Sequence, residues 1–367
     1  MAALHAVELR KVDGRALTLY ARQPFAAPDA PAPSPFAEPL AGHPGLRWHP
    51  LRGEWVTYAA YRQARTFLPP PEYNPLAPTS DPAHPTELPA GDWEVAVFDN
   101  RFPAFTPDAG EPAASIVPTA PARGRCEVVV FGQEPAVSLG ALPLSRIELV
   151  LRVWADRCRR LATQDGIAYV LPFENRGVEM GVTLHQPHGQ IYAYPVVPPV
   201  PARMAAVARE HAARHGGQGP LAALIARELD DGARLLYRGD HAVAFVPACA
   251  RYPYESWVAP IAPVPSFEAL SDAQRDDLAR ALKTVLAKYD GLWDRPFPYL
   301  MAWYPAPVGA AAGGWHLHAE LWPPYRSRDR LKYLAGTELG AGFFAMDALP
   351  EDTARALQGV EVSARIT

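Results

Sequence analysis

Three side chains spaced two apart, Gln186, His188 and Gln190, stand in the run Gln186-Pro187-His188-Gly189-Gln190-Ile191. In an extended chain, side chains at i and i+2 share a face. The spacing predicts an imidazole flanked by two carboxamides. A neutral imidazole can attack phosphorus and hold the transferred group covalently. The amides can donate to non-bridging oxygens as their charge changes. A polar cluster closing a strand end is the plainer reading of the same residues. A related run, His316-Leu317-His318-Ala319-Glu320-Leu321, stands about 130 residues later. There Glu320 puts a negative charge where a phosphate needs a donor. The second copy is therefore expected to shape a site or hold a strand end, not to transfer phosphoryl groups.

Such residues need strands to present them and helices to back the sheet, and the sequence supplies both twice. Trp93–Phe98 reads as a strand running into Asn100-Arg101-Phe102-Pro103. His241–Val246 does the same into Arg251-Tyr252-Pro253. Glu127–Phe131 and Ser256–Pro260 are the next strands. A helix with a capping box follows in each half, opened by Ser145 with Glu148 and by Ser271 with Gln274. Ile147, Leu151, Trp154, Cys158 and Leu161 recur at helical steps, as do Leu278, Leu282, Val285 and Tyr289. Each set gives one apolar face for a sheet. The predicted fold is α+β, a tandem duplication of a strand–strand–helix–strand unit with antiparallel sheets and helices on one face. No G-x-G-x-x-G fingerprint accompanies it. Residues 5–21 read as a hairpin turning at Val12–Arg15. Residues 22–46 form a Pro/Ala-rich arm, and 68–92 read as loop. The chain divides into the hairpin and arm (1–46), two repeat domains (47–196 and 197–350) and a tail (351–367).

Composition bounds the partners. The 367 residues are 49% hydrophobic and 20% charged, with a net charge of -4. That suits a globular protein with a sizeable core and argues against a nucleic-acid binder, which shows a basic excess. Proline, at 42 residues, is roughly twice its usual share. Cys126, Cys158 and Cys249 form no C-x-x-C pair, so no local thiolate zinc clip is expected. Scattered thiols fit a reducing compartment. The opening residues lack a signal-peptide pattern, and no apolar run approaches the ~18 residues of a membrane span. A cytoplasmic protein with no membrane partner is expected.

Several longer motifs carry a resemblance. Phe173-Glu174-Asn175-Arg176-Gly177, Met180-Gly181-Val182-Thr183 and Gln186–Tyr192 resemble the galactose-1-phosphate uridylyltransferase family of the histidine-triad superfamily. Trp48-His-Pro-Leu51, Tyr61–Arg65, Val97–Pro103, Phe297-Pro298-Tyr299 and Trp315–Glu320 extend the likeness over roughly residues 10–350. The resemblance implies that His188 takes a nucleotidyl group from a UDP-sugar, releases hexose 1-phosphate, and passes the group to a second hexose 1-phosphate. It implies that Gln190 bonds the phosphoryl oxygens, with Thr183 and Asn175 at the phosphates and Arg62 and Arg65 near the diphosphate. A guanidinium fork suits that task. Asn100 matches a nucleoside contact, although Arg101 stands where the family often has aspartate. Gln186 is placed among the substrate-binding residues. Lys332, Tyr333 and Glu338 resemble a sugar-contact segment, and a homodimer with sites completed across its interface is implied.

The departures concern metals. Members that carry zinc use a C-x-x-C pair and a first histidine, and here those positions are Asn74, Ala77 and Gln186. A second family site of three histidines and a glutamate corresponds to Met204, Tyr304, His318 and Glu320. Amides and a methyl group are poor substitutes for thiolates. No cofactor is expected, neither zinc nor iron. The leading expectation is transfer of UMP from UDP-glucose to galactose 1-phosphate through a uridylyl-histidine, in galactose metabolism. The alternatives are an ADP-sugar or dinucleoside polyphosphate phosphorylase or adenylyltransferase, and a non-catalytic nucleotide-binding protein.

Overall fold

Strand parity decides which side chains meet helices and which are left to build a site. The computed structural model describes residues 4–28, 31–38, 42–64, 73–135, 137–182, 184, 186–310 and 313–362. Arg65, Thr183 and His185 lie outside them. The first half supplies β1 (His5–Arg10), β2 (Ala16–Ala21), β3 (Gly45–His49), β4 (Glu54–Tyr58), β5 (Val95–Asp99), β6 (Thr119–Pro121) and β7 (Arg125–Val130). Helix α1 (Leu144–Ala162), β8 (Tyr169–Arg176) and β9 (His188–Tyr194) follow. The second half supplies α2 (Pro199–Arg214), α3 (Pro220–Asp231), β10 (Leu235–Arg238), β11 (Ala242–Phe245), β12 (Ser256–Pro260) and α4 (Asp272–Leu292). It ends with β13 (Tyr299–Trp303), β14 (Ala319–Trp322), the short pair β15 (Tyr325–Ser327) and β16 (Arg330–Leu331), and α5 (Pro350–Gln358).

Eleven strands form one antiparallel sheet in the order β1-β2-β5-β7-β9-β8-β13-β14-β12-β11-β10. Outward from the β8–β13 junction, the two halves repeat: β8-β9-β7-β5-β2 on one side and β13-β14-β12-β11-β10 on the other. The α+β duplication is thus a single sheet, fused where Phe173 pairs with Ala302 and Arg176 with Tyr299. Each half carries two strands more than the predicted unit: β8 and β13, between the helix and the histidine strand, and β2 and β10, at the outer end of each five-strand run. Charged Glu174 and Arg176 disguise β8. Burial makes sense of them, because Tyr299 Oη donates to Glu174 Oε2 at 2.9 Å and Arg176 clasps Asp290 with two bonds.

Helices α1 and α4 cover one face and pack against each other. Ile147, Leu151, Trp154, Cys158 and Leu161, with Leu278, Leu282, Val285 and Tyr289, are all buried in that core. Trp154 meets Phe267 and Trp303 at ring separations of 6.1 and 6.0 Å. Truncating such a side chain typically costs about 3–5 kcal/mol. The capping box at Ser271 forms, with Gln274 N–H donating to its Oγ at 3.2 Å. The one expected at Ser145 does not. Pro143 takes the N-cap position, which puts Ser145 inside the first turn, and Glu148 instead accepts from Arg152 at 2.6 Å. The sequence also implied helices on one face only. In the second half, α2 and α3 cover the opposite face, where Ile225 packs on Val243, Phe245 and Ala259. The stretch set apart as a tail forms α5, whose Ala354 and Leu357 enter the main core.

Candidate active site

On β9 the residues alternate. Ile191 and Ala193 point into the core beneath α1, which leaves His188, Gln190, Tyr192 and Tyr194 on the opposite face. Gly189 separates the two key side chains because a β-carbon there would lie 2.9 Å from the Phe131 ring and 3.0 Å from Phe173 O. His188 Nδ1 sits 2.7 Å from Gln186 O. A carbonyl only accepts, so Nδ1 carries the proton and Nε2 keeps its lone pair. Burial pushes the imidazole below its ordinary pKa, against the smaller opposing effect of the Gln186 carbonyl. The larger effect, burial, favours the neutral imidazole, and the bond to Gln186 O orients it. Asn100 Nδ2 donates to Gln190 Oε1 at 3.3 Å, which fixes the amide so that its nitrogen is the end presented to an acceptor. Asn100 is fixed in turn by Phe102 N–H donating to its Oδ1 at 2.8 Å.

Two cavities meet at this pair, and His188 and Gln190 line both. One, of about 290 Å³, is walled by flat and apolar side chains: Phe36, Tyr73, Leu76, Phe98, Phe102 and Leu184. Asn100 and Glu87 add polar groups to it. The other, of about 210 Å³, is polar and is lined by Arg62, Asn175, Gly181 and Tyr192. Arg62 lies in the single turn Ala60–Ala64 and donates to Phe102 O at 2.7 Å, with Tyr192 Oη at 3.4 Å. A neutral imidazole between an aromatic slot and a cationic, amide-lined one suits a phosphorus atom bearing a nucleoside on one side and a phosphate on the other.

Of the residues singled out in the sequence, the structure brings His188, Gln190, Arg62, Asn100 and Asn175 together. Gln186 is corrected from substrate contact to support. It precedes β9, is 1% exposed, and both ends of its amide are bonded: Asn74 Nδ2 donates to Oε1 at 2.6 Å, and Nε2 donates to Gly132 O at 2.7 Å. Lys332, Tyr333 and Glu338 line neither cavity of the chain. Lys332 Nζ donates to Ala345 O at 2.7 Å and pairs with Glu338 at 3.7 Å, while Tyr333 is 80% exposed. Parity with His188 on β9 marks Tyr192 in the sequence. The cavity walls Phe36, Tyr73 and Leu76 carry no such signal, since they arrive from distant loops.

The second copy repeats the posture and closes it. His318 Nδ1 lies 2.8 Å from His316 O, as His188 does from Gln186 O. Its Nε2, however, faces Glu320 Oε1 at 3.4 Å, and Arg251 bonds that carboxylate at 2.7 Å. Neither family metal position suits a metal. The first is occupied by the hydrogen bond between the Asn74 and Gln186 amides, with Ala77 N–H donating to Asn74 O at 3.1 Å. At the second, Tyr304 stacks on His318 with 5.2 Å between rings, and the Arg251 guanidinium supplies the positive charge beside Glu320. Among the described residues, no group of three or more His, Cys, Asp or Glu side chains could hold an ion, and no helix is long and apolar enough to cross a membrane.

Comparison with known proteins matches this arrangement. Residues 41–198 match the family described as galactose-1-phosphate uridyl transferase, N-terminal domain, and 207–364 match its C-terminal domain. The chain is 34% identical over 325 residues to galactose-1-phosphate uridylyltransferase of Thermotoga maritima, covering 86% of this chain and 98% of that one. It is 32% identical to the rat enzyme of the same name, over 86% of this chain and 87% of its relative. A solved uridylyltransferase structure superposes with a TM-score of 0.76 at 32% identity, over 86% of this chain and 97% of the other. An Arabidopsis thaliana ADP-glucose phosphorylase shares the fold at 23% identity, with a TM-score of 0.64 over 87% and 99% of the two chains. With both domains matched end to end, the chain belongs to the galactose-1-phosphate uridylyltransferase family of transferases.

Proposed function

We propose that the protein moves UMP from UDP-glucose to galactose 1-phosphate through a covalent uridylyl-histidine. The observation that carries this is His188, held neutral with Nε2 unprotonated where the aromatic and cationic cavities meet. The nucleoside lies in the aromatic cavity, and the second phosphate with its sugar lies toward Arg62 and Asn175. Nε2 attacks the nucleoside-bearing phosphorus, a P–N bond forms, and the P–O bond to glucose 1-phosphate breaks. The imidazolium that results keeps its Nδ1–H on the Gln186 carbonyl. Gln190 donates to a non-bridging oxygen as the charge on phosphorus redistributes. A phosphate oxygen of galactose 1-phosphate then attacks, and the P–N bond breaks to release UDP-galactose and restore neutral His188.

In this reading Thr183 and Arg65 serve the phosphates, as the resemblance implies. The reading requires no metal, since each family metal position has a protein group in its place. It includes a homodimer in which Lys332, Tyr333 and Glu338 serve the partner subunit's sugar site, in keeping with the exposure of Tyr333 and its absence from the lining of the two cavities at His188. Cytoplasmic residence accords with the free thiols of Cys126, Cys158 and Cys249. The test is a donor panel of UDP-, ADP- and GDP-glucose with labelled galactose 1-phosphate or labelled inorganic phosphate as acceptor. Label passing from galactose 1-phosphate into UDP-galactose with UDP-glucose alone is expected. Label entering from inorganic phosphate with ADP-glucose instead would assign a phosphorylase.

A further inference from the structure

The family match begins at residue 41, yet Pro35 and Phe36, from the segment before it, wall the aromatic cavity beside His188. Phe36 is gripped from several directions. The Arg101 guanidinium lies 4.3 Å from its ring centre, and Arg101 Nη1 donates to Glu38 O at 2.8 Å. Phe102 meets the ring edge-on at 6.3 Å. The Phe36 N–H donates to Ser34 Oγ at 3.1 Å.

Ser34 is itself anchored in a buried charge network. Its Oγ donates to Asp13 at 2.8 Å and accepts from Arg15 at 3.1 Å. Arg15 bonds Glu87 at 2.6 Å, and Lys11 pairs with the same carboxylate. Val12 N–H closes the attachment on Ala32 O at 3.0 Å. The hairpin β1–β2 therefore exists in part to hold residues 31–38 in place. Phe36 stays half-buried, with ring surface left toward the cavity.

We infer that residues 31–38 are a strap that sets nucleoside affinity, with Phe36 packed against the nucleoside of a bound uridine nucleotide and Arg101 holding that ring. Arg101 is a positioning residue: it turns toward the strap, bonding Glu38 O and lying over the Phe36 ring. The inference rests on the nucleotidyl-transfer reading of the same site. An apolar ring against a nucleoside is a contact available to substrate and transition state alike, so its loss raises KM without lowering the maximum rate.

The experiment measures UMP affinity by calorimetry for the wild type, Phe36→Ala, Phe36→Leu and Arg101→Ala, together with single-turnover uridylylation by UDP-glucose. Phe36→Ala is expected to weaken UMP by about tenfold or more, within the range of base–aromatic contacts. Phe36→Leu, which keeps apolar bulk, weakens it less, and Arg101→Ala weakens it in the same direction. The UDP-glucose concentration for half-maximal uridylylation rises in step, while the maximum rate and the KM for galactose 1-phosphate stay as in the wild type. A strap that only stabilised the fold would lower the melting temperature and leave the donor and acceptor KM values unseparated. Equal UMP affinities for wild type and Phe36→Ala, or no UMP binding by either, overturn the strap. A wild type that binds UMP but never becomes uridylylated overturns the transfer reading instead.

Discussion

At the residue scale, the proposed transfer divides its chemistry between one imidazole and one amide. Gln190 is poised to donate where charge changes, and such a donor typically contributes about 2.7–4 kcal/mol at the transition state. Gln190→Ala should lower the uridylylation rate by roughly 10²–10³ with little change in KM; a rate near that of the wild type in single-turnover kinetics contradicts this. Gln186→Ala is the counterpart. It leaves the backbone carbonyl that orients His188 intact but strands Asn74 and Gly132 O, a loss of about 1–3 kcal/mol, read as a lower melting temperature with uridylylation retained. His188 is held below the ordinary imidazole pKa by burial. The neutral form therefore persists as pH falls, and the acid limb of the uridylylation rate should lie below the usual value of about 6.5. A limb at or above that value contradicts the assignment. The placement of His188 and Gln190 on one face of β9 was legible because strand parity and the repeat agree. Gln186 was half legible: its backbone serves the site, but its side chain is claimed by Asn74, a partner 112 positions away.

At the element scale, α1 and α4 declared themselves through apolar spacing, whereas β8 did not, because its charged residues are satisfied only by distant partners, Glu174 by Tyr299 on β13 and Arg176 by Asp290 on α4. Glu174 records the cost. Burial raises its carboxyl to about 7, more than the Tyr299 bond lowers it. Its folded pKa exceeds the unfolded value of about 4.3, so the folded state keeps its proton where the unfolded state has lost it. Stability from this group is full at low pH and declines as pH rises from about 4 to 7. Glu174→Gln should therefore raise the melting temperature at pH 8 and change little at pH 4, as a pair of thermal melts would show. Equal shifts at both pH values would contradict the buried, protonated carboxyl. The loop carrying Asn74 is a second case, tied to Gln186 at the start of β9 by an amide–amide hydrogen bond where the family resemblance implies a metal. Elemental analysis should find no stoichiometric zinc or iron, and a chelator should leave the melting temperature unchanged. One tightly held zinc per chain contradicts this.

At the scale of the whole molecule, the duplication has divided its labour. The first copy keeps His188 open between two cavities. The second sets His318 in the same posture and shuts it with Glu320 and Arg251, while α2 and α3 cover that face. The Gln-to-Glu exchange at position 320 was readable in the sequence. The covering helices were not, because their apolar residues pack on the sheet face that the repeat alone leaves empty. The proposed borrowing of Lys332 and Tyr333 from a partner subunit predicts dimers in solution. It also predicts that Tyr333→Ala raises the KM for galactose 1-phosphate without lowering the melting temperature. The most direct measurement is intact-protein mass spectrometry after incubation with UDP-glucose alone. Transfer through His188 predicts one uridylyl group per wild-type chain, removed on adding galactose 1-phosphate, and none on His188→Ala. An unmodified wild type, or a uridylyl group retained by His188→Ala, would contradict it.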